Sequence, residues 1–175
     1  MKIRLALSMI VAALLTSFAA WRYTAPASTP ATTTTAIKGE VLTSLSFPDL
    51  AGKPQALAQW QGKVLVINYW ATWCVPCRDE MPAFSRLQQK HAGSGVQFVG
   101  LSIDDPDKVR EFQKKTPVVY PLLIAEPSAI ALTEALGNAA QGLPFTVVID
   151  RKGRIAATRL GRFKEDELDA LLRGL

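Results

Sequence analysis

The sequence predicts an α/β domain, a small sandwich in which parallel strands come first and an antiparallel hairpin comes last. Three observations predict it. Residues 64–70 and 96–103 are near-continuous apolar runs, the pattern of strands covered on both faces. The stretch after each run has helix-start residues and apolar positions at helical spacing. Finally, residues 145–149 and 154–160 flank the turn Asp150-Arg151-Lys152-Gly153, which reads as a hairpin.

Taken in order, the chain opens on Lys2 and Arg4, then an apolar run over residues 5–20, then Trp21 and Tyr23. A signal peptide needs a charged start, a short apolar core and small residues at a cleavage site. An uncleaved anchor needs about 20 apolar residues with aromatics at the interface. Trp21 and Tyr23 favour the anchor over residues 1–23, with a cleaved signal as the alternative. In both readings Lys2 and Arg4 stay on the cytoplasmic side and the rest of the chain crosses the membrane. Residues 24–38 are rich in Thr, Ala and Pro and form a tether. Residues 39–175 form the domain.

Within the domain, residues 46–50 and 55–57 bracket a turn at 51–54 and predict two short strands. The strand at 64–70 leads into a loop with both cysteines, then a helix over residues 75–91. Pro82 removes the N–H that would bond the carbonyl of Arg78, so a kink is expected there. His91, near the helix end, is expected at the surface. Asp104-Asp105-Pro106 starts the next helix, with Val109 and Phe112 inward. Residues 118–124 make a short extended segment interrupted by Pro121. Glu126-Pro127 opens another helix, expected to turn Leu132 and Leu136 inward and to stop at Gly137. Gly142-Leu143-Pro144 leads into the hairpin, and Leu168, Leu171 and Leu172 mark an amphipathic closing helix.

The composition is that of a globular protein, 49% hydrophobic and 20% charged. Its net charge of +5 is concentrated at the N-terminus: without Lys2, Arg4 and Arg22, 17 of the 20 basic residues face 15 acidic ones. No long basic run remains, which argues against nucleic-acid binding. No Gly-rich phosphate loop is present, so nucleotide binding has no support.

Cys74 and Cys77 are the two cysteines of the chain. If the first opens a helix, the second lies about one turn on and on the same side. A disulfide between them closes a very small ring, which removes little entropy from the unfolded chain. Stabilisation is therefore a poor reason for this spacing, and a reversible redox pair is a good one. The helix N-terminus favours thiolate over thiol. Cys74, before the helix and expected to be exposed, is assigned as attacking nucleophile, and the more buried Cys77 as resolving thiol. A closed zinc site is short of ligands, because His91 is the one histidine. A Cu(I)-carrying dithiol remains the alternative, since thiolates suit that ion. No cofactor and no metal are expected.

The run Trp70-Ala71-Thr72-Trp73-Cys74-Val75-Pro76-Cys77-Arg78-Asp79-Glu80-Met81-Pro82 resembles the active site of the membrane-anchored thioredoxin-like oxidoreductases of the TlpA/ResA group, with Val75-Pro76 most similar to TlpA. So does Gly142-Leu143-Pro144 before a strand ending Val148-Ile149-Asp150. The resemblance implies a thioredoxin-like fold with an extra N-terminal β-hairpin, and a disulfide-forming Cys74–Cys77 pair. It implies a cis-proline at Pro144, leaving the backbone of Leu143 free for a substrate strand. Trp73, Val75, Pro76 and Leu143 then form the substrate surface. Phe145 departs from the small or polar residue common after this proline, and a more apolar groove is expected. Thioredoxins keep a buried Asp where this chain has Asn68, so Glu80 is the expected replacement proton acceptor for Cys77. The implied activity is reduction of substrate-protein disulfides on the periplasmic side of the inner membrane. The implied substrates are apocytochrome c or copper-site assembly proteins, and the implied electron source is a membrane thiol donor of the DsbD/CcdA kind.

Overall fold

The computed structural model describes residues 42–175. The membrane segment and tether expected at residues 1–23 and 24–38 lie outside them. Among the described residues, no helix is long and apolar enough to cross a membrane.

Strand β3 (Val64–Trp70) is buried along its whole length, as its unbroken apolar run predicts. It pairs in parallel with β4 (Val96–Ser102) and antiparallel with β6 (Phe145–Ile149). Beyond them lie β5 (Leu122–Ile124), parallel to β4, and β7 (Ile155–Leu160), antiparallel to β6. The five strands run in the order β5-β4-β3-β6-β7. The expected N-terminal hairpin is a separate two-stranded sheet of β1 (Ser46–Pro48) and β2 (Pro54–Ala56).

Alternation along β3 divides the core. Val64, Val66 and Trp70 face one cluster, with Met81, Phe84 and Leu87 of α1 (Val75–His91), Val109 of α2 (Pro106–Lys115), and Leu168 and Leu172 of α3 (Glu165–Arg173). Leu65, Ile67 and Tyr69 face the other, with Phe145, Val147, Ile149, Leu57 and Ile130. Gly100 lies opposite Asn68 in β4, and a Cβ there would come within 2.6 Å of Leu122 Cδ2 and 3.2 Å of Trp70 Nε1. No larger residue fits without moving both. Phe84 is fully buried and packs on Phe98 at 5.5 Å between ring centroids. Phe84→Ala is therefore expected to destabilise the domain by about 3–5 kcal/mol, read from the urea unfolding midpoint.

α1 includes Pro82 as an interior residue; Arg78 and Pro82 are both exposed, so the hydrogen bond the proline removes lies on the water side. Two local expectations change. The segment after Glu126 is a 3₁₀ helix, Pro127–Leu136, capped by Gly137 at φ 99°. Its three-residue period turns Ile130, Thr133 and Leu136 inward and leaves Leu132 40% exposed, not inward as expected. His91 is not a surface residue: it is buried, with Nε2 2.7 Å from Asp169 Oδ1 on α3. Lys90 Nζ donates to Asp169 Oδ2 at 2.8 Å, and Arg173 donates to the same oxygen. The hydrogen bonds from Lys90 and His91, followed by the charge of Arg173, hold the Asp169 carboxyl down at about 2 despite its burial. This cluster fastens the end of α1 to α3.

Candidate active site

The two cysteines stand where β3 hands over to α1. Trp70 ends β3, and four residues later Cys74 is the N-cap of α1, in extended conformation at φ −81°, ψ 101°. Val75 and Pro76 occupy the first turn, where a proline's missing N–H costs nothing. Cys77 is the third helical residue, one turn from Cys74, and the two are joined as a disulfide. Cys74 is 5% exposed and Cys77 0%. Cys74 is thus less open than expected in the closed disulfide, although it remains the outer of the two.

The loop is tied down from the side. The backbone N–H of Thr72 donates to Asp104 Oδ2 at 3.2 Å, and its hydroxyl donates to the same oxygen. Burial pushes the Asp104 carboxyl upward, but the hydrogen bonds from Thr72 and Asp105, with Lys108 nearby, outweigh it and leave the group below its ordinary range. Asp104 therefore anchors the cysteine loop to the start of α2 as a carboxylate.

Around the disulfide the surface is apolar. Trp73 is 65% exposed and Val75 54%; Pro76 is exposed and Leu143 half-buried. The Leu143–Pro144 peptide bond is cis, as expected. Phe145 pairs with Tyr69 in the sheet, so Pro144 lies level with the end of β3 where the cysteine loop departs. Phe145 itself does not line a groove. It is 1% exposed and its ring packs against Tyr69 in the opposite core, because alternation along β6 sends it there. Leu160, which pairs with Phe145 across β6 and β7, lies on that same side of the sheet and not on the side of the disulfide. Leu160 is 48% exposed at the end of β7, and a Cβ on Gly142 would lie 2.9 Å from its Cδ1.

Glu80 lies one turn beyond Cys77 and is 2% exposed. Its Oε1 accepts from Asn68 Nδ2 at 2.8 Å, and its Oε2 accepts from the backbone N–H of Phe163 at 2.9 Å. Burial drives its pKa up to about 7, against the pull of these two hydrogen bonds and the charge of Arg162. A carboxyl poised there can take a proton at neutral pH and return it. The site thus unites Cys74, Cys77 and Glu80 on one helix, with Asn68 and Thr146 of the sheet beneath. The backbone donor of Phe163 has no side-chain signature in sequence.

A family model described as Redoxin matches residues 26–172. The chain belongs to the Redoxin family. The thiol-disulfide oxidoreductase ResA of Bacillus cereus is 31% identical over 126 residues, covering 71% of this chain and 70% of that one. The thioredoxin-like protein YneN of Bacillus subtilis is 30% identical over 139 residues, covering 77% and 78%. Among solved structures, a thioredoxin-family thiol:disulfide interchange protein from Chlorobium tepidum TLS is 29% identical at a TM-score of 0.68, covering 75% of this chain and 92% of that one. The fold is accordingly thioredoxin-like, as the resemblance implied. With a disulfide closed between Cys74 and Cys77, this member of the family is a thiol-disulfide oxidoreductase.

Proposed function

We propose that the protein is a reductant of disulfides in other proteins, working outside the cytoplasm in the biogenesis of cytochrome c or of a cytochrome oxidase copper site. The observation that carries the chemistry is a carboxyl buried one helical turn behind the inner cysteine of the pair, where burial pushes its pKa up to about 7. In the reduced protein, the helix N-terminus favours the Cys74 thiolate. It attacks one sulfur of a substrate disulfide, forming a mixed disulfide and releasing the first substrate sulfur as a thiolate, which takes a proton from water. Glu80 then takes the proton of Cys77, whose thiolate attacks Cys74 Sγ. The second substrate thiol leaves and picks up a proton. Two electrons and two protons have passed to the substrate, and the enzyme is left in the disulfide form seen in this structure.

The apolar rim of Trp73, Val75, Pro76 and Leu143 is the substrate surface in this reading, with Pro144 at its edge. Residues 1–23 hold the domain, residues 39–175, to the outer face of the inner membrane through the tether at 24–38. Because such a compartment keeps thiols oxidised, a membrane thiol donor of the DsbD/CcdA type must re-reduce the pair. The copper alternative is disfavoured by the position of His91. It ends the 17-residue helix that the cysteines begin, about 24 Å away at 1.5 Å per residue, and Asp169 engages its ring.

The test is the reduction potential of the full chain in detergent, equilibrated against glutathione and dithiothreitol buffers and followed by Trp fluorescence. A value below about −200 mV is expected of a reductant. A value near −120 mV would identify a disulfide-forming oxidant and remove both the donor and the substrate proposals.

A further inference from the structure

Beneath α1, the sheet presents Glu80 with a pair of side chains that take no part in the exchange of thiols and disulfides itself. Asn68 of β3 and Thr146 of β6 are cross-strand partners, 1% and 0% exposed, and alternation points both toward the helix. Asn68 Nδ2 has two hydrogens. One goes to Glu80 Oε1 at 2.8 Å and the other to Thr146 Oγ1 at 3.1 Å. The amide oxygen, Asn68 Oδ1, is buried and has no hydrogen-bond partner among the described residues.

That orphaned oxygen fixes the meaning of the arrangement. An amide turned the other way would set its carbonyl against a carboxylate oxygen, acceptor against acceptor. The observed orientation leaves one acceptor unpaired in order to aim both donors, which is the outcome a charged Glu80 selects. Thr146, locked opposite Asn68 by the strand register, accepts the second hydrogen and keeps the amide from rotating.

We propose that Asn68 is a positioning residue for the proton transfer: it aims the Glu80 carboxyl and, with Thr146 bracing the amide, sets how readily that carboxyl gives up its proton. The inference rests on the reading of Glu80 as the proton acceptor for Cys77. The other groups facing Glu80 are Arg162, whose charge favours the carboxylate, and Tyr120, whose phenol is pushed up by burial and by the Glu80 charge. The Phe163 N–H completes the set. Changes at Asn68 or Thr146 leave all three in place.

The experiment follows the Glu80 side-chain carbon by NMR against pH in the full-length, oxidised protein, labelled at glutamate and held in detergent micelles. Glu80→Gln assigns the signal. Asn68→Leu removes the donor and Thr146→Val removes only the brace. The titration midpoint is expected to rise by about one unit in Asn68→Leu, and by less in Thr146→Val. A residue that merely filled space would lower the melting temperature and leave the midpoint alone, and an unmoved midpoint in Asn68→Leu overturns the proposal. Where Asn68→Leu does not fold, the near-isosteric Thr146→Val decides the matter by the same criterion. The pH at which resolution of the mixed disulfide is half-maximal is then measured in each variant. If the carboxyl midpoint moves while this kinetic midpoint stays, Asn68 keeps its influence on the carboxyl and it is Glu80 that is not the base.

Discussion

Cys77→Ala is expected to yield a protein that attacks its substrate and cannot release it. Offered a disulfide-containing protein, the reduced variant accumulates a mixed disulfide through Cys74, visible on a non-reducing gel and located by mass spectrometry. Cys74→Ala accumulates none. Turnover falls roughly 10³-fold or more in both, the scale on which removal of a nucleophile acts. The asymmetry follows from where the chain puts each sulfur. Cys74 is the N-cap, outside the helical hydrogen bonding and beside the exposed Trp73 and Val75. Cys77 is within the first turn, fully buried, and can reach only Cys74 without the helix opening. A thiol in that place resolves a bond made by its neighbour but does not meet a substrate. Trapping in Cys74→Ala in place of Cys77→Ala would reverse the assignment. The substitution at Cys77 removes a single sulfur atom from the core side of the helix, so loss of turnover together with a folded domain is the pattern to look for.

How much of this is legible in the sequence depends on how local each feature is. β3 is legible because seven consecutive residues, rich in β-branched and aromatic types and bounded by Gly62 and the cysteine loop, bury both faces. The same strand discloses Asn68 as an anomaly, a polar residue at the parity of Val66 and Trp70. The cysteine pair is legible for the same reason, since spacing and helix start lie within a few residues. His91 misleads because its partner, Asp169, is 78 residues away. A histidine near a helix end looks solvated until a second helix brings a carboxylate to it. Phe145 suggests a groove because it follows Pro144, yet the parity of Val147 and Ile149 already sends it to the opposite core. The 3₁₀ segment is hidden because Ile130, Thr133 and Leu136 include a polar member, whereas Leu132 and Leu136 fit a 3.6-residue period by chance.

Glu80→Gln is expected to slow resolution of the mixed disulfide by about 10²-fold or more at neutral pH, the usual contribution of a placed general base. In the wild-type protein that step, followed by rapid quenching of the Cys74 mixed disulfide, rises with pH as Glu80 ionises about pH 7 and then levels off. The variant loses this limb. The stability of the wild-type protein changes with pH in the opposite sense. The folded-state pKa of Glu80 is raised, from 4.5 to about 7, chiefly by burial. The native state therefore holds its proton more tightly than the unfolded chain does. The associated stability is fully present below about pH 4.5 and is lost as pH rises through about 7. At 1.36 kcal/mol per unit, the loss across that window is on the order of 3 kcal/mol. Urea unfolding of the oxidised protein at pH 5 and pH 8 measures it, and the difference between wild type and Glu80→Gln isolates it from Asp169 and the surface groups, which titrate alike in both. If that difference is the same at both pH values, Glu80 ionises as an ordinary surface carboxyl, and its use as a base at neutrality has no basis. If the wild type instead loses stability relative to the variant as pH rises, the burial that makes this carboxyl a base is also what destabilises the fold over the pH range in which the base is used.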